Sequence, residues 1–135
     1  MAAPTTTTTP HCTFTFLEPR LLLQRFTPTA RFTPAFVAEM SALRNTLCGN
    51  ELHAVMVVIP AEVAVDPVST NVDHFLSERT QRRILALAVV AEGNIMHSVS
   101  KFYFGWFPQV FQANVFSEED RALEWLREKL LHASG

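Results

Sequence analysis

Two continuous apolar runs constrain this chain most, "LHAVMVVI" at 52–59 and "ILALAVVAE" at 84–92. Neither alternates polar with apolar, and both carry branched residues, the pattern of strands covered on both faces. Each falls far short of the roughly 20 residues a membrane-spanning helix needs. Segments with helical spacing separate and follow these strands, which calls for a largely parallel sheet carrying helices.

The flanking sequence completes the pattern. "TFTF" alternates, with Phe14 and Phe16 on one side of a strand, and Glu18-Pro19 marks a turn into "RLLLQRFTP", the second arm of a hairpin. "FTPAFVAEMSALRNTLCGN" changes period. Thr33 is its expected N-cap, Pro34 the first helical residue and Gly49 the stop, with Phe36, Val37, Met40, Leu43 and Leu47 on one apolar face. "AEVAV" either prolongs the first buried strand or stands as a short segment. Asp66-Pro67 repeats the cap-plus-proline start and predicts a second helix over "DPVSTNVDHFLSERTQRR". A third helix is expected in "GNIMHSVSKFYFGWFP", and "VFQANVF" reads as a short strand. Ser117 then caps a closing helix striped by Ala122, Leu123, Trp125, Leu126 and Leu130.

The expected class is therefore α/β: a mixed, largely parallel five-stranded sheet with four helices, in the order β-β-α-β-α-β-α-β-α. Residues 1–12 read as a disordered Thr/Pro-rich tail and 13–135 as a single domain. The length suits one domain with one real core, since 48% of residues are hydrophobic against 18% charged. A net charge of −2 gives no electrostatic footprint for nucleic acid or anionic lipid. Cys12 and Cys48 lie far apart and form no CxxC pair, so reduced thiols and a cytoplasmic location are expected. "MAAPTTTTTPHC" has neither the basic nor the apolar stretch of a secretory signal.

Three stretches carry a family resemblance: "HAVMVVIPAEVAVDPVS", "RRILALAVVAE" and "VFSEEDRALEWL". Together they resemble STAS-like domains (the sulfate-transporter and anti-anti-sigma-factor fold), particularly variants found in bacterial proteins of unknown function. The resemblance covers about residues 13–131. It implies a regulatory module that carries a phosphorylatable serine directly after an Asp at a helix start. Here that Asp is Asp66 and the next residue is Pro67, which has no hydroxyl, so the family's switch does not carry over. Ser69, one turn on, is the remaining candidate phosphoacceptor.

Catalytic patterns are missing. The histidines at 11, 53, 74, 97 and 132 form no metal-binding spacing, and no Gly-rich phosphate loop or nucleophile elbow occurs. Cys48 with His53 or His97 is a nucleophile–base pair in principle. "SEED" reads as first-turn capping. Arg79, Arg82 and Arg83 are a candidate anion-binding cluster at a helix end. No cofactor or metal is called for, and no catalytic residues are assigned.

The most informative stretch is 94–107. Ile95, Val99, Phe102, Tyr103 and Trp106 share one helical face and read as the core side. Met96, Ser100, Phe104 and Phe107 then fall on the outer flank, an interaction surface unless the segment "STNVDHFLSERT" covers it. Gly105 would permit a bend or a close approach. The expected role is a non-enzymatic protein-interaction or regulatory module, working as a homodimer or with a protein partner, without stable membrane insertion. The alternative is a carrier or sensor of a small apolar or lipid-like ligand held between the sheet and the 94–107 helix.

Overall fold

The computed structural model describes residues 5–76 and 78–134, with Arg79, Thr80 and Ser134 described in backbone only. The expected hairpin is present as strands β2 (Cys12–Glu18) and β3 (Leu21–Phe26), antiparallel with Phe14 opposite Gln24. The two apolar runs form β5 (His53–Ile59) and β7 (Ile84–Ala91). They pair in parallel, β3 and the short β8 (Gln112–Phe116) flank them in parallel, and the hairpin closes one side antiparallel.

The sheet has six strands, one more than expected. Thr6–Thr8 of the expected tail form β1, an antiparallel edge strand on β2 with Thr7 opposite Phe14, while residues 1–4 lie outside the described residues. Consecutive threonines are β-branched and suit a pleated surface, and β2 offers them an open edge. Two residue pairs outside this sheet, β4 (Arg31–Phe32) and β6 (Ala64–Val65), make a separate parallel ribbon. "AEVAV" is thus a short segment of its own.

Three helices are full length, where four are expected. The first, α1 (Pro34–Cys48), starts as its sequence dictates: Thr33 accepts a hydrogen bond from the Phe36 amide at 3.1 Å, and Gly49 ends it at φ 62°. The segment expected as a second helix instead forms a 3-10 stretch, Pro67–Asn71, and later a single turn, α2 (Glu78–Gln81). Its polar side chains bond backbone nearby. Thr70 donates to the Pro67 carbonyl and Asp73 accepts from the Phe75 amide. Such local bonds compete with a helix ladder, and Asp66 makes no side-chain cap. The remaining helices, α3 (Asn94–Trp106) and α4 (Glu119–Ser134), lie where expected.

Side-chain size sorts the layers. On one face β5 and β7 present Ala54, Met56, Ala86 and Ala88, and α4 packs there through the fully buried Ala122 and Leu126. On the other face Val55, Val57, Leu87 and Val89 meet α1, α3 and the 67–76 segment. Arg25 on β3 grips Glu119 at the start of α4 with two hydrogen bonds of 3.1 and 2.7 Å, and Arg127 reaches Glu18 at 2.6 Å. The Arg25 bond holds the Glu119 carboxyl below its usual range. "SEED" therefore includes a tie between layers beyond capping.

Leu126→Ala is expected to destabilise by about 2–5 kcal/mol, because it empties a fully enclosed site. Leu131→Ala, on the exposed side of the same helix, should stay within about 0.5 kcal/mol. Urea unfolding of the two variants checks this, and equal costs would contradict the assigned face of α4.

Candidate functional site

A cavity of about 130 Å³ lies on the face opposite α4. Its floor is the sheet (Gln24, Val57, Ile59, Leu87, Val89), one wall is α1 (Val37, Met40, Ser41, Arg44), and the other is α3 (Met96, Val99, Ser100, Tyr103, Phe104). The 67–76 segment closes it through Ser69, Thr70, His74 and Phe75. Local chemistry explains the void. Ser100 is buried on α3 where the neighbouring turns carry Met96 and Phe104, so a small side chain faces the sheet between two large ones.

The segment is tied to α3 by one hydroxyl. Tyr103 donates to the Val72 carbonyl at 2.7 Å and accepts from the His74 amide at 2.9 Å. Burial pushes its pKa to about 12, so the hydroxyl keeps its proton at any physiological pH. His74 also bonds the Ser69 carbonyl at 2.8 Å.

The faces of α3 differ in part from those expected: Val99 and Tyr103 line the cavity as core-side residues should, but Ile95, Phe102 and Trp106 do not. Met96 and Ser100 are buried, and Phe104 packs on the core beneath the Phe75 ring at 6.1 Å, so "STNVDHFLSERT" does cover that flank. Phe107 is half-buried against Tyr103 at 5.2 Å. None of these four is a bare outer surface. Instead Ile95, Phe102 and Trp106 face outward, 82%, 67% and 66% exposed, with the Phe102 and Trp106 rings stacked at 6.1 Å. Both stripes of this helix are apolar, so periodicity alone cannot choose between them. At the helix entry Gly93 takes φ 83°, with Ala61 3.1 Å from where a Cβ would stand, a position that suits glycine. Gly105 sits in open space, and the helix continues to Trp106.

Ser69 is 4% exposed, and its hydroxyl donates to the Phe32 carbonyl at 2.7 Å. In this fold it is a cavity-wall residue, out of reach of a modifying enzyme. Of the candidate anion-binding arginines, only Arg83 has side-chain hydrogen bonds among the described residues. Arg83 spends its guanidinium on the Gly49 carbonyl at 3.4 Å and on Gln81, Arg82 adopts a positive φ of 49°, and the Arg79 side chain lies outside the described residues.

Sequence reading missed Arg44. It stands four residues after Met40 on the apolar face of α1, and that spacing was a signal for burial. The residue is 3% exposed and lies 5.6 Å over the Phe75 ring. One long bond, 3.3 Å, joins its Nη2 to Asn45, and its buried Nε has no partner. Burial lowers its pKa from the usual arginine value, with nearby Glu78 opposing that effect. Glu78 is fully buried and uses one carboxylate oxygen to accept from the Arg83 and Ile84 amides, at 2.6 and 3.2 Å.

Cys48 and His53 line one shallow pocket with Glu51, but among the described residues no hydrogen bond joins thiol and imidazole. His53 donates from Nδ1 to the Glu51 carbonyl at 2.9 Å, and burial lowers its pKa. Burial raises Cys48 to about 11 and Cys12 to about 12, so both are thiols rather than thiolates at neutral pH. Among the described residues no cluster of His, Cys, Asp and Glu could hold a metal ion, and no helix is long and apolar enough to cross a membrane.

A mixed sheet with one helix on one face, two on the other and a hairpin edge defines a STAS-like α/β domain. Over 92% of both chains it is similar to an uncharacterized protein from the DUF3478 family, with a SpoIIAA-like fold, from Shewanella loihica PV-4. The TM-score is 0.54 and the identity 15%, so this likeness shows the fold alone. Residues 15–130 match the family described as "Domain of unknown function (DUF7793)", and the chain belongs to that family. No curated protein matches it.

Alkylation of Cys48 by iodoacetamide at pH 8 should run about 100-fold slower in the folded protein than after denaturation, given the raised pKa of about 11. Mass spectrometry over time measures it. Equal rates would mean that burial does not suppress this thiol.

Proposed function

We propose that the domain is a non-enzymatic sensor or carrier of a small apolar ligand, held between the sheet and α3. The observation that carries this reading is the cavity of about 130 Å³, walled largely by apolar side chains of the sheet, α1, α3 and the 67–76 segment. Apolar concavities with a few convergent polar groups are the usual form of a small-molecule site. About this much space holds a ring the size of benzene, since engineered cavities on the order of 150 Å³ do so.

A second reading, an interaction module that works as a homodimer, is favoured by a different observation. Ile95, Phe102 and Trp106 put three large apolar side chains on the solvent side of one helix. Aromatic residues are enriched at protein contacts. The surface is therefore the opposite stripe of α3 from the one expected. The two readings use opposite sides of the same helix and are compatible.

Native mass spectrometry of gently purified protein should show a small adduct. Val57→Phe, which fills the cavity from its floor, should abolish it while the protein stays folded by circular dichroism. An adduct that persists in that variant would place the ligand elsewhere. For the second reading, light scattering should give a mass near twice 15.2 kDa, and Phe102→Asp with Trp106→Asp should return it to 15.2 kDa. A wild-type protein that stays at 15.2 kDa at high concentration rules the homodimer out.

A further inference from the structure

We infer that the cavity takes a small monocarboxylic acid, with its carboxylate on Arg44 and its apolar body against Val57, Leu87, Val89 and Phe104. The inference rests on the ligand-binding reading above and adds the chemistry of the head group. Arg44 is nine-tenths buried and more, lines the cavity, and has a buried Nε without a hydrogen-bond partner. Its guanidinium offers five donors, and the long 3.3 Å bond to Asn45 is the one hydrogen bond given to it among the described residues. A planar guanidinium matches a carboxylate through two parallel hydrogen bonds. Among the described residues no ion pair of 4 Å or less joins Arg44 to Glu78, whose Oε2 accepts from the Arg83 and Ile84 amides and whose buried Oε1 has no hydrogen-bond partner. An apolar wall with one underused cation therefore selects an amphipathic monoanion. A phosphate dianion is disfavoured, because a single guanidinium cannot balance two charges in an apolar surround. The volume limits the body to roughly a phenyl ring or a short branched chain.

Benzoate, toluene and benzylamine serve as probes of one body with three head groups. Amide chemical-shift titration of the full chain should give benzoate at least about tenfold tighter than toluene, with benzylamine undetectable. Arg44→Met should weaken benzoate by about 10- to 100-fold and change toluene by less than about threefold. Should that variant fail to fold, Arg44→Lys keeps the charge but loses the fork, and a partial loss of benzoate affinity is expected. If toluene and benzoate bind alike, or Arg44→Met binds benzoate as well as wild type, the head-group assignment is overturned while the cavity reading stands. If neither probe perturbs amides around the cavity, and Val57→Phe changes nothing, the cavity reading itself fails, and this inference with it.

Discussion

Everything in this fold follows from the parallel pairing of β5 and β7, two strands with no polar face. A strand that is apolar on both sides must be covered on both sides, so the chain has to supply two layers of cover. The two faces differ in side-chain size. Ala54, Ala86 and Ala88 let α4 approach closely, and Leu126 fills the remaining space. The opposite face carries Val57, Leu87 and Val89, and its cover is pieced together from α1, α3 and an irregular segment. Cover assembled from three pieces packs less completely than one helix on alanines. That is where the cavity lies.

The Tyr103 hydroxyl holds this patchwork together. It serves as donor and acceptor to the backbone at Val72 and His74, and so satisfies polar groups in a stretch that has no ladder of its own. The His74 ring then bonds the Ser69 carbonyl, and Ser69 bonds the Phe32 carbonyl. One chain of hydrogen bonds thus links α3, the 3-10 stretch and the β4–β6 ribbon. These bonds replace the second helix that the Asp66-Pro67 start had announced.

Much of this was legible in the sequence, for reasons that can be named. Long apolar runs and an N-cap with proline are local signals, so β5, β7 and α1 lie where the residues place them. The STAS-like architecture was readable for the same reason, because the order of elements survives errors at their ends. The phase of α3 was not readable. Ile95, Phe102 and Trp106 are as apolar as Met96 and Phe104, so side-chain type does not say which stripe faces the sheet. β1 was hidden by composition, since a run of threonines reads as a tail until a neighbouring strand edge is known. Arg44 was hidden by its charge. A cation on an apolar stripe is ordinarily read as surface, and here it is inside.

Stability alone gives no reason for a guanidinium at that position. Removing a cation from water costs several kcal/mol, and a packed apolar side chain of similar volume is often as good or better for the fold. Glu78 and the Phe75 ring offset part of that cost, but they leave Nε without a partner. A group held at such expense against an apolar void is better explained by what enters the void than by what surrounds it. The geometry extends the consequence outward. Met96, Ser100 and Phe104 touch the cavity from the underside of the same helix whose upper side exposes Ile95, Phe102 and Trp106. A helix moves as a rigid rod, so an occupant that shifts its lower stripe shifts its upper stripe with it. On the proposed reading, ligand and partner are then met by opposite faces of one element.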